Sequence, residues 1–230
     1  MAAIHLNESP WPNLPPTPLL LIPVGSTEQH GPHLPFCVDT MIAVAVATQV
    51  AERLSDHHGY RVVVSPAVAF GASGEHQDFP GTLSIGHEAL RLVLIELIRS
   101  GALWAERIVF VNGHGGNVTT MSEVVATMSD EGHHVAWVAC ALESATDAHA
   151  GFDETSVALA LSPDVVQMAE ARRGNIQPLA EILPLLMKKG LQPITESGVL
   201  GDPSLANAET GERLLEELVA SVTARIISGH

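Results

Sequence analysis

The sequence predicts an α/β fold, a single-domain three-layer sandwich with a mostly parallel central sheet. Three observations carry that expectation. Short apolar, β-branched runs alternate with longer stretches of helical period, the pattern of parallel strands covered on both faces by helices. At 230 residues the chain has the length of one α/β domain, and no linker composition divides it. Its hydrophobic content of 46% is ample for a core on each side of a sheet.

The elements follow in order. Residues 1–18 hold five of the fifteen prolines and little periodicity, so they are expected to form an arm that wraps the domain or frays. The domain itself spans 19–230. Its first strand is 19–24, an unbroken apolar run. Asp39-Thr40 can then cap a helix that continues to about His57, with Ile42, Val46, Val50 and Leu54 at four-residue spacing. A second strand is expected over 61–66, followed by a long glycine-rich loop over 67–86; long loops inside compact domains are often functional. A helix over 87–100 stops at Gly101, and a third strand occupies 107–111. Helix 118–131, strand 135–140 and a helix near 153–161 complete the alternation. After Pro163 the pattern is poorer until a final helix over 207–227, with Leu214, Leu215, Leu218 and Val222 on one face.

Eleven basic residues against twenty-six acidic ones give a net charge of −15. That balance opposes a nucleic-acid partner, which needs a basic face to track phosphates, and equally an anionic membrane surface. No run reaches the roughly 18 apolar residues of a membrane span, and the first thirteen residues lack the basic and apolar regions of a signal peptide. Two cysteines, Cys37 and Cys140, form no CxxC motif or disulfide framework. Cys37 is expected to be a packed loop thiol. A cytoplasmic location follows as the expectation.

The chemistry concentrates in loops that follow the strands, where ligands bind in open parallel sheets. The loop after the first strand carries Glu28, His30, His33 and Asp39. The run Asn112-Gly113-His114-Gly115-Gly116-Asn117 adds an imidazole, and the His76 and His149 loops add two more. Mixed carboxylate and imidazole donors suit Zn²⁺, Fe²⁺ or Mn²⁺ rather than a thiolate structural zinc. With Glu154 in reserve, a two-metal centre with a bridging carboxylate is feasible. Set against this, a lone loop histidine is more often a surface or hydrogen-bonding residue, and Asp39 alone reads as the N-cap of the next helix. His5, His57, His58, His87, His133 and His134 are read as solvated.

The run Gly25-Ser26-Thr27-Glu28-Gln29-His30-Gly31-Pro32-His33-Leu34-Pro35 and the Asn112–Asn117 motif carry a resemblance. With Phe79-Pro80-Gly81-Thr82 between them and His149-Ala150-Gly151 and Glu154-Thr155-Ser156 after, the chain resembles the creatininase family of metal-dependent amidohydrolases. The resemblance implies that Glu28, Asp39 and His114 hold one metal, and that His30 with a bridging Asp39 holds a second. It implies that His149 shuttles a proton to the leaving nitrogen. Creatininase has a glutamate ligand two residues after the histidine of its Asn-Gly-His motif; Gly116 stands there in this chain, and Glu154 is the expected replacement. His76 is the second choice for the acid.

Within the family, the runs 74–86 and 198–203 look most like the creatininase-type peptidases of the mycofactocin system. That similarity implies cleavage of a modified precursor peptide, releasing its cyclised Val-Tyr-derived C-terminal unit. It also implies two divalent ions per subunit, Fe²⁺ and/or Zn²⁺ with Mn²⁺ possible, in a homo-oligomer. Two other expectations stand beside it: a family amidohydrolase acting on a formamide or cyclic amide, and a metal-binding protein without turnover.

Overall fold

The computed structural model describes residues 3–142 and 145–229. Five strands form one sheet in the order β1-β3-β2-β4-β5, and every pairing is parallel. The strands are β1 (Ile4–His5), β2 (Leu19–Val24), β3 (Val62–Val64), β4 (Arg107–Asn112) and β5 (Val135–Ala139). The helices are α1 (Val38–His58), α2 (Gly86–Gly101), α3 (Val118–Asp130), α4 (Phe152–Leu161), α5 (Leu179–Lys189) and α6 (Ala208–Ile227).

Alternation along the buried strands divides the core. Leu19 and Leu21 of β2, Val62 and Val64 of β3, and Val109 and Val111 of β4 face α1, α4 and α6. Leu20 and Ile22, Val63, and Ile108 and Phe110 face α2 and α3 on the other side. The hydrophobic strands are therefore sandwiched, as the near-continuous apolar runs require. On α1, Ile42, Val46, Val50 and Leu54 are all buried, each worth about 1.5–3 kcal/mol relative to exposure. The final helix buries Leu214, Leu215, Leu218 and Val222 as its periodicity predicts, with Asn207 accepting the Thr210 N–H as N-cap.

Three features differ from expectation. The arm is neither frayed nor merely wrapped: Ile4 and His5 pair with Val63 and Val64 and add an edge strand to the sheet. Asp39 does not cap α1. Cys37 is the N-cap residue and makes no capping bond, while Asp39 lies inside the first turn with its carboxylate turned away toward Ser26 and His30. Cys37 is also exposed rather than packed. Finally, α5 lies in the stretch that showed no clear pattern, because it exposes Leu179, Leu183, Leu185 and Met187 and contains Pro184.

Parallel pairing places the carboxyl ends of the strands together: Val24 is level with Asn112, and Asn112 with Ala139. From β2 the chain goes to β3 on one side and then to β4 on the other, so the order reverses between β2 and β4. This switch point is where open parallel sheets leave a crevice. No helix among the described residues is long and apolar enough to cross a membrane.

Candidate metal centre

The Glu28 and His114 loops leave the sheet at that reversal, from the ends of β2 and β4. Asp39 comes between them because Gly113 lets β4 run directly against the first turn of α1. A Cβ at Gly113 would overlap the Asp39 carbonyl oxygen. The loop after β3 supplies His76, and the segment after β5 supplies His149 and, in the first turn of α4, Glu154. Ala150 between them adopts φ +51°, an uncommon conformation for a residue with a Cβ, where the chain turns into the helix. His149 is fixed on its other side by an antiparallel bridge to Leu200.

All seven residues singled out from the sequence meet here. His114 Nδ1 lies 3.3 Å from Glu28 Oε2 and 3.2 Å from Asp39 Oδ2. His30 Nε2 lies 3.1 Å from Asp39 Oδ1 and 4.0 Å from Glu154 Oε2. His149 Nδ1 is 3.9 Å from both Glu154 Oε2 and Glu28 Oε1. His76 Nε2 is 3.3 Å from Glu28 Oε1. Asp39 thus touches a histidine with each oxygen, the arrangement of a carboxylate able to bridge two ions.

The outer bonds decide which imidazole nitrogens face inward as lone pairs. His30 Nδ1–H donates to the Glu28 carbonyl at 3.1 Å, leaving Nε2 free toward Asp39. His114 Nε2–H donates to the Ala72 carbonyl at 3.2 Å, leaving Nδ1 free. His149 Nε2–H donates to the Gln29 carbonyl at 2.9 Å, leaving its Nδ1 free toward Glu28 and Glu154. Ser26 Oγ–H donates to Asp39 Oδ2 at 2.6 Å and orients that carboxylate. Glu154 serves twice, since its Oε2 also accepts the Ala150 N–H at 2.5 Å.

Burial makes this cluster demand a cation. Both Glu28 oxygens are buried and have no hydrogen-bond partner among the described residues. A buried ion left this way costs several kcal/mol. Glu28, Asp39 and His114 offer ligand atoms within 4.8 Å of one another, as do His30, His149 and Glu154, and also Glu28, His76 and His149. The donor set is oxygen and nitrogen throughout, so the residues fit a borderline divalent metal.

The electrostatics agree. Burial and the Asp39 charge both push Glu28 up, yet His114 and His76 hold its carboxyl down at about 2. Burial pushes His30 down, but Asp39 prevails and raises it to about 10; His114 is raised in the same way by Glu28 and Asp39. His76 is lowered to about 3, chiefly by burial and then by His149. His149 is also lowered, by burial first and His30 second. Without metal, two ionised carboxylates, the protonated His30 and His114, and the neutral His76 and His149 therefore face one small volume.

Gln29 and Ser26 are site residues that the sequence reading passed over. On a regular extended segment Glu28 and His30, two apart, would share one side and Gln29 would lie on the other. The segment is irregular, and the buried Gln29 side chain also turns inward. At Gly116, the position of the missing acid, a Cβ would overlap the Ala72 carbonyl and His114 Nε2 and would sit 2.7 Å from Glu75 Oε1. The space of the absent ligand is therefore filled.

Comparison with known proteins is consistent with this geometry. The sequence profile of the creatininase family, described as creatinine amidohydrolase, matches residues 9–226. A mycofactocin precursor peptide peptidase of Mycolicibacterium smegmatis is 52% identical over 209 residues, 91% of this chain and 84% of that protein. The creatinine amidohydrolase of Pseudomonas putida is 28% identical over 248 residues, 90% of this chain and 88% of its own. A solved mutant creatininase of the Zn–Zn type superposes with a TM-score of 0.73 at 25% identity, covering 98% of each chain. By sequence and by fold, this chain belongs to the creatininase family.

Proposed function

We propose that the chain is a peptidase that hydrolyses an amide bond in a modified precursor peptide of the mycofactocin type, using two divalent ions per subunit. The observation that carries the metal dependence is the buried, unpartnered Glu28 carboxylate among four inward histidines. The substrate is supported by the 52% identical relative, whose coverage spans the whole site.

In this reading Glu28, Asp39 and His114 would hold one ion, and His30, Glu154 and Asp39 would hold the other. When bound, the ions supply Lewis acidity toward the scissile carbonyl and toward water. The remaining work belongs to the chain. His149, neutral at rest, takes the proton of the attacking water on Nδ1 and passes it to the leaving nitrogen, while the Gln29 carbonyl steadies its Nε2–H. Iron and zinc are both compatible with these donors.

The test joins elemental analysis of the purified protein to mass spectrometry of the modified peptide. Metal near two equivalents and cleavage at one amide are expected, with Glu28→Ala and His114→Ala losing both. Full hydrolysis by chelator-treated, metal-free protein would overturn the scheme.

A further inference from the structure

Four histidines face the centre, and three of them are held from behind by a backbone carbonyl. His76 is the exception, because its outer partner is a side chain. Gln29 Nε2 lies 2.9 Å from His76 Nδ1. The orientation of that carboxamide is fixed independently of the histidine. Its oxygen accepts the Gly31 N–H at 2.8 Å, and its nitrogen donates to the Gly198 carbonyl at 3.2 Å. Gly198 has φ +79°, and a Cβ there would overlap the carboxamide, so the amide is also clamped sterically. His149 Nε2 also lies 3.3 Å from the Gln29 nitrogen, but it bears the hydrogen donated to the Gln29 carbonyl, so the second N–H of Gln29 has His76 Nδ1 as its acceptor and that nitrogen must carry the lone pair.

We infer that Gln29 is a positioning residue that fixes His76 with its proton on Nε2, so that His76 presents an N–H rather than a lone pair toward Glu28 and is not a metal ligand. A histidine whose inward nitrogen bears hydrogen cannot coordinate, although Glu28, His76 and His149 are close enough to form a set. Gln29 thus sorts the histidines chemically. In the metal-loaded protein His30 and His114 present lone pairs, as His149 does throughout, and His76 presents an N–H 3.3 Å from Glu28 Oε1. The sorting keeps a third ion out of the centre and directs one charge-stabilising donor at the Glu28 carboxylate. No element of this depends on the peptide substrate; only the kinetic arm below rests on the proposed amide hydrolysis.

Long-range ¹H–¹⁵N correlation spectra of zinc-loaded, histidine-labelled protein read the tautomers directly. The expected pattern is a protonated Nε2 on His76, with metal-shifted inward nitrogens on His30 and His114. A protonated Nδ1 on His76, or a metal-shifted Nε2, would overturn the inference without any variant. Gln29→Glu supplies only acceptors and should move a proton onto His76 Nδ1, while His149 keeps Nε2–H through the Gln29 backbone carbonyl. Loss of a supporting partner of this kind should lower kcat about 10- to 100-fold with metal content and KM little changed. A Gln29→Glu protein with the wild-type His76 tautomer would refute the role. If that variant fails to fold, Gln29→Met, which removes all three side-chain bonds without adding charge, gives the kinetic arm. An unchanged kcat in Gln29→Met would also refute it. Failure of peptide cleavage by wild-type protein with the expected tautomers would count against the proposed substrate alone.

Discussion

Two side chains illustrate how much chemistry rests on single atoms. His149 Nδ1 stands 3.9 Å from carboxylates of both candidate ligand groups, yet its own carbonyl-bound Nε2–H shows which nitrogen accepts a proton. His149→Ala should retain the metal held by Glu28, Asp39 and His114 and lose about 10²–10⁴ in kcat, as removal of a general acid–base does. Metal analysis beside steady-state kinetics checks this, and loss of both ions would show a ligand instead. Gly116 argues the opposite case, a position where nothing can be added. Gly116→Ala drives a methyl into the Ala72 carbonyl and His114 Nε2, so His114 must move. A cost of about 1–3 kcal/mol and reduced metal content are expected. Gly116→Glu should fare no better, although it restores the acid that creatininase carries there. A Gly116→Glu protein with raised metal content and full stability would contradict the crowding seen around this residue.

At the scale of elements, the sheet was largely legible because its signals are cumulative. Six consecutive apolar residues in β2, and Ile42, Val46, Val50 and Leu54 on α1, each repeat one instruction several times, and all are buried. Elements that are short or outward-facing gave no such repetition. β1 is two residues long, and its order comes from pairing with Val63–Val64 and from the packing of Ile4, neither of which a two-residue run announces. α5 fully buries only Ile182, with Leu186 partly buried one turn on, and it leaves Leu179, Leu183, Leu185 and Met187 exposed, so its apolar content does not mark a core-facing element. The ligands were legible through their clustering in strand-end loops, whereas Gln29 was missed because alternation holds only where a sheet enforces it. The edge strand makes its own prediction. Deleting the arm through Leu14 removes Ile4, Leu6 and Leu14 from the core under α2 and α3 and bares the edge of β3. Loss of this partly buried packing should cost about 2–3 kcal/mol, roughly 4–12 °C in Tm. The bared edge should also promote self-association, detectable by light scattering. An unchanged Tm and a monodisperse sample would show that the arm contributes nothing to the sheet.

For the whole molecule, the centre exists only when the chain is folded, because its donors span residues 28 to 154 and four different loops. Metal binding is then coupled to folding, and protons compete with the metal for the same atoms. The sign follows from the raised histidines. Without metal, Asp39 overcomes burial and holds His30 up at about 10, and His114 is raised likewise. Each then contributes stability to the metal-free fold that is fully present below an unfolded pKa near 6.5 and is lost as pH rises through the folded value. Coordination requires both to give up that proton, whereas Glu28, held at about 2, stays ionised. Acid therefore favours the metal-free form twice over, by stabilising it and by blocking the ligands. Between pH 8 and pH 6 the apparent affinity should fall by up to about tenfold per pH unit for each proton displaced. Zinc competition against a chelator of known pH dependence measures this, and the stabilising shift in Tm on adding zinc should shrink in parallel. An affinity flat across that range would mean that His30 and His114 are already unprotonated without metal, and that the carboxylates beside them do not set their charge.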